Sequence, residues 1–167
     1  MPEHPLTNVT IGLMSFSDGR QRVHENLAPT IQGHQDTLAS LLGSLGARVV
    51  TPDDIAWTPR AAVTGARQLV AQDVAAVVFN LPVFAFPNLS ALAATITRCP
   101  VALLSPGEPD LPGMGGLLAA GGALRQMGVS APRIWGAYDS PQTRERLAAF
   151  VHAAGAAHQL RGQVYGQ

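Results

Sequence analysis

The densest run of side chains able to do chemistry is Ser15-Phe16-Ser17-Asp18-Gly19-Arg20, followed at once by Arg22, His24 and Glu25. Gly19 lets the backbone turn sharply, and Arg20 offers a planar set of donors that holds hydroxyl or anionic oxygens two at a time. The same residues have a plainer use. Ser17 and Asp18 suit the cap of a following helix, and an arginine in such a loop commonly forms a surface ion pair. The run is not a nucleotide motif: GxGxxG is absent after it, and the lysine of a phosphate loop is missing because all eleven basic residues are arginine. It also lacks the Ser/Thr-rich cradle that a flavin phosphate would need. His24-Glu25 begins like HExxH, but Ala28 stands where the second histidine belongs, so His24 reads as a helix-face residue.

Three further loops carry candidates. NLPVFAFPN over residues 80–88 puts large apolar groups where a solvated loop is normally polar, which suits contact with the flat face of a sugar, with another subunit or with its own sheet. SPGEPDLPGMGG over 105–116 combines turn chemistry with a Gly-rich end that suits closure over a ligand or a small anion nest. The loop 136–140 supplies Tyr138 and Asp139, with Ser140 as a cap. No carboxylates and histidine lie at metal-ligand spacing, no GxSxG elbow is present, and Cys99 precedes Pro100 away from the expected site edge. The candidate binding set is Asp18, Gly19, Arg20, Asn80, Phe84 and Phe86, with no catalytic or metal-ligating residue among them.

The elements that must position these loops follow from hydrophobic patterning. Apolar runs of strand length, at 9–16, 47–51, 74–79, 101–105 and 133–138, alternate with segments of helical period. Runs such as VAAVVF, apolar on both faces, fit parallel strands covered on both sides. The helices are expected at 21–45, ending at Gly46 and kinked or split by Pro29; at 60–72 after Thr58-Pro59; from an Asn88 cap to Arg98; at 113–127, ending at Gly128; and at 142–158 after Ser140-Pro141. Leu27, Ile31, Leu38, Leu41, Leu42 and Leu45 form the buried face of the first. Five βα units give an α/β, doubly wound, Rossmann/flavodoxin-like parallel sheet in the order 2-1-3-4-5, helices on both faces, with ligands at the carboxyl ends of the strands.

Composition bounds the rest. At 167 residues the chain suits one domain, placed at 1–160, and 47% hydrophobic with 13% charged residues excludes intrinsic disorder. Eleven arginines against eleven acidic residues leave no net field for nucleic acid or an anionic membrane, while a lightly charged surface favours homo-oligomers. A single cysteine and the absence of a signal peptide or an apolar run of roughly 20 residues point to the cytoplasm. QLRGQVYGQ over 159–167 starts what reads either as a frayed tail or, over 161–167, as a linker or the first strand of a following domain.

The opening IGLMSFSDGRQRVHENL resembles that of the L-fucose/L-arabinose isomerase family, in which a strand leads to a D-G-R segment and an arginine-rich helix start. The resemblance continues in order through NLPVFAFPN, VALLSPGEPDLPGMGGLLAAGGALRQMG and RIWGAYDSPQTRERLAAF to QLRGQVYGQ. It covers nearly the whole chain, as the first of the family's three domains. It implies a metal-dependent aldose-ketose isomerase, usually using manganese, whose carboxylate and histidine ligands belong to later domains, so that this chain alone is not catalytic. The first domain of the family helps to recognise sugar and completes a neighbouring subunit's site, and Arg20 takes the place of the family's D-G-R arginine. Phe84 and Phe86 stand in the stretch where fucose isomerases carry a tryptophan. A free-standing small-molecule-binding or protein-interaction module without catalysis is the other reading of the same residues.

Overall fold

Side-chain alternation decides which strand residues meet which helix layer. The computed structural model describes residues 9–164 and 166, and its element order is β1 (Val9–Ser15), α1 (Gln21–Ser44), β2 (Ala47–Val50), α2 (Pro59–Ala71), β3 (Ala76–Asn80), α3 (Pro87–Thr97), β4 (Val101–Ser105), α4 (Gly113–Gln126), β5 (Arg133–Trp135) and α5 (Pro141–Gln159). All pairings are parallel, and the strand order is β2-β1-β3-β4-β5. Val9, Ile11 and Leu13 of β1 face Leu38, Leu41 and Leu42 of α1 and Leu147 and Val151 of α5. Met14, Phe16 and the β3 residues Val77 and Phe79 face α2, α3 and α4 through Leu69, Leu89, Ala93, Leu117 and Leu124. Central β3 and β4 are buried along their whole length, which is why they read as continuous apolar runs.

Two helix starts follow the local signals. Thr58 Oγ1 accepts from Ala61 N at 3.1 Å and Ser140 Oγ from Thr143 N at 3.2 Å, each with a proline at the first helical position. Gly46, at φ +88°, ends α1, and Gly128, at φ +75°, ends α4.

Other boundaries differ from the patterning. α1 runs unbroken through Pro29; Pro29 and Glu25, whose carbonyl loses its donor there, both occupy exposed positions on the helix. On that helix Leu27 and Leu45 are half-buried, and Gln35 takes a buried place between Ile31 and Leu38. α3 is not capped by Asn88. Pro87, with its preset φ, takes the first helical position, which moves the N-cap back to Phe86. β5 stops at Trp135, since Gly136 turns the chain at φ +140°. Leu160 to Gly162 form a turn; the expected strand beyond it includes Tyr165 and Gln167, which lie outside the described residues.

Candidate recognition site

The carboxyl ends of β1 and β3 and the loop after β2 are stitched together by backbone bonds. Phe16 N donates to Asn80 O at 3.0 Å, Ser17 N to Ala56 O at 3.1 Å, and Ala56 N to Ser15 O at 2.9 Å. The β1–α1 loop is therefore held on both sides before any side chain is considered. Within it Asp18 is buried at 3% exposure and accepts three bonds from Arg20, one from the backbone N at 2.9 Å, one from Nε at 2.8 Å and one from Nη2 at 2.7 Å. The side-chain hydrogen bonds from Arg20 hold the Asp18 carboxyl below its usual value, against the desolvation that would raise it. Arg20 itself keeps 70% of its side chain in solvent. Of the five N–H groups of a guanidinium, two are spent on Asp18 and the other three point away from it. The result is a fork anchored on one edge and open on the other.

Gly19 brings the aromatic loop to this fork. A Cβ at position 19 would lie 2.9 Å from the Phe86 ring and 3.4 Å from the Trp57 carbonyl oxygen, so only glycine allows the three loops to approach this closely. Phe86 is exposed and meets half-buried Phe84 edge to face at 5.7 Å. Glycines on α4 set the height of that pair: Gly113 sits against the carbonyl oxygens of Leu81 and Pro82, and Gly116 against that of Val83, each with its Cβ position 2.7 Å from oxygen. On the far side Trp57 stacks on His24 with ring centroids 4.7 Å apart. Burial lowers the proton affinity of His24, opposed by the charges of Glu25 and Asp54.

Asp18, Gly19, Arg20, Phe84 and Phe86 thus share one surface at the sheet's carboxyl edge. Asn80 lies beneath it. Its carboxamide is fully buried, donating to Ser15 Oγ at 3.0 Å and accepting from the Tyr138 hydroxyl at 2.7 Å, so it ties the ends of β1 and β3 to the loop after β5. Burial raises the Tyr138 phenol well above its ordinary value, which keeps it a donor to Asn80. Two residues absent from the candidate set belong to this region: Trp57, signalled by its place just before the Thr58-Pro59 cap, and Tyr138, signalled by its place just after the last strand. Beside Tyr138, His34 Nε2 lies 3.4 Å from Glu108 Oε1 across a groove of about 570 Å3.

The family described as L-fucose isomerase, first N-terminal domain, matches residues 8–162. The chain belongs to this family. No curated protein matches it. Among solved structures, oxidised flavodoxin 1 from Bacillus cereus is similar over 89% of this chain and 98% of its own, at 11% identity and a TM-score of 0.39. Arg20 falls inside the family match, as do both phenylalanines. Among the described residues no three His, Cys, Asp or Glu side chains come together as metal ligands would. Nor is any helix among them long and apolar enough to cross a membrane.

Proposed function

We propose that this isomerase-family domain recognises the sugar and supports assembly in a metal-dependent aldose-ketose isomerase acting on a deoxy sugar or pentose such as L-fucose or L-arabinose. The observation that carries this reading is the Arg20 fork, clamped by Asp18 and open beside Phe86. An open-chain sugar presents adjacent hydroxyl oxygens, which the free N–H groups of Arg20 bind by charge-assisted hydrogen bonds. Its C–H face, or the methyl group of a deoxy sugar, packs on Phe84 and Phe86. Asp18 acts by positioning the guanidinium, while Asn80 acts from below by holding Ser15 and Tyr138.

In this reading manganese and its carboxylate and histidine ligands lie in domains beyond this chain, and no residue here transfers a proton. The exposed Phe86 edge is then presented to the active site of a neighbouring subunit in a cytoplasmic homo-oligomer. The test joins this chain to the family's following domains and assays sugar interconversion with and without manganese. Manganese-dependent isomerisation is expected. Sugar binding with no isomerisation in either condition would instead support the free-standing binding module.

A further inference from the structure

At the amino edge of the sheet, opposite the recognition surface, α4 ends and β5 begins around a cavity of about 350 Å3. Two guanidinium-bearing residues line it, Arg125 and Arg133, together with Gly121 and Ser130, and no acidic residue does. Gly121 and Arg125 are one helical turn apart on the same face of α4. Arg133 lays its side chain over Gly121: a Cβ there would come within 2.9 Å of Arg133 Cδ and 3.0 Å of Cζ, and closer still to Nε. The three nearest atoms to that position all belong to Arg133, so the glycine serves as the seat of this one side chain.

Neither arginine has a carboxylate within ion-pair distance among the described residues, where the carboxylate contacts involve Arg20, His34 and His158. Three of the carbonyls in the last turn of α4 are also taken. Ala123 accepts from Met127 N, Leu124 from Met127 N and Val129 N, and Arg125 from Gly128 N. Two exposed positive groups thus line one cavity with no protein carboxylate taking their donors, so an anion entering between them is attracted by both. A carboxylate carries one charge in one plane and is satisfied by a single fork. A phosphate group carries close to two charges and presents oxygens in several directions, matching two guanidiniums.

We propose that the cavity between α4 and β5 binds a phosphate group, either free or carried by a phosphorylated sugar. The test is calorimetric titration of the 167-residue chain with inorganic phosphate and, separately, with a hexose phosphate, at constant ionic strength. Saturable binding is expected for at least one probe, weakened about tenfold or more in Arg125→Gln and in Arg133→Gln, and unchanged in Arg67→Gln on the exposed face of α2. Gly121→Ala separates this from folding: alanine is the better helix former, so the thermal midpoint holds or rises while affinity falls as Arg133 is pushed from its seat. Tighter binding of the hexose phosphate supports a phosphorylated sugar as the ligand, and equal binding supports the free anion. No saturable binding of either probe, or an affinity that survives in either arginine variant, overturns the proposal.

Discussion

Tyr138 holds a hydroxyl over a carboxamide that has no access to water, and the consequence is measurable. In Tyr138→Phe the Asn80 Oδ1 loses its donor inside the protein, a loss that costs about 1–3 kcal/mol for a buried acceptor. Urea denaturation should show this as a lower midpoint with an unchanged slope, and an unchanged midpoint would mean that Asn80 is held in another way. His24 contributes a pH dependence of definite sign. Its folded proton affinity is lowered by burial, so the unfolded chain binds the proton more readily. Stability is therefore full above the ordinary histidine value of 6.5 and is lost as pH falls from there through the lower folded value. His24→Phe keeps a ring against Trp57 without the titration, and the drop in thermal midpoint between neutral and mildly acidic buffer should shrink in it. Asp18 does not confuse the experiment. Its folded value lies below 3.8, so its contribution persists until the pH falls below that and then disappears as the pH passes through the folded value.

The helix α4 sets the height of the aromatic loop through residues with no side chain. Gly116→Ala would drive a methyl group to within 2.7 Å of the Val83 carbonyl oxygen, a backbone atom that cannot rotate away. Overpacking of this kind costs about 1–3 kcal/mol, and the displaced loop carries Phe84 and Phe86 with it. The expected result is a lower thermal midpoint together with shifted aromatic resonances; if the midpoint is unchanged, the helix and the loop are not in the contact described. At this scale local signals were readable in the sequence. Thr58-Pro59 and Ser140-Pro141 announce helix starts because cap and proline act within one turn, and Gly46 and Gly128 announce helix ends for the same reason. Asn88 does not cap α3, since the preset φ of Pro87 overrides that signal, and Pro29 does not split α1.

Across the whole molecule, the parallel sheet and its order were legible because strands buried on both faces leave an unmistakable run of apolar residues, and right-handed crossovers leave few topologies. The site was legible in part. Asp18 and Arg20 are neighbours in sequence, so their pairing is local, whereas Tyr138 reaches Asn80 from 58 residues away and Gly19 meets Phe86 only after three strands have paired. Contacts of that separation depend on the fold itself and have no local pattern. In the proposed function Arg20 is the group that this domain lends to sugar binding. The measurement that tests it most directly is the steady-state kinetics of Arg20→Ala in the isomerase that contains this domain. The prediction is a KM for the sugar raised about tenfold or more, with kcat changed far less, in a chain that still folds but loses the stability the guanidinium lends to Asp18. An unchanged KM would contradict it.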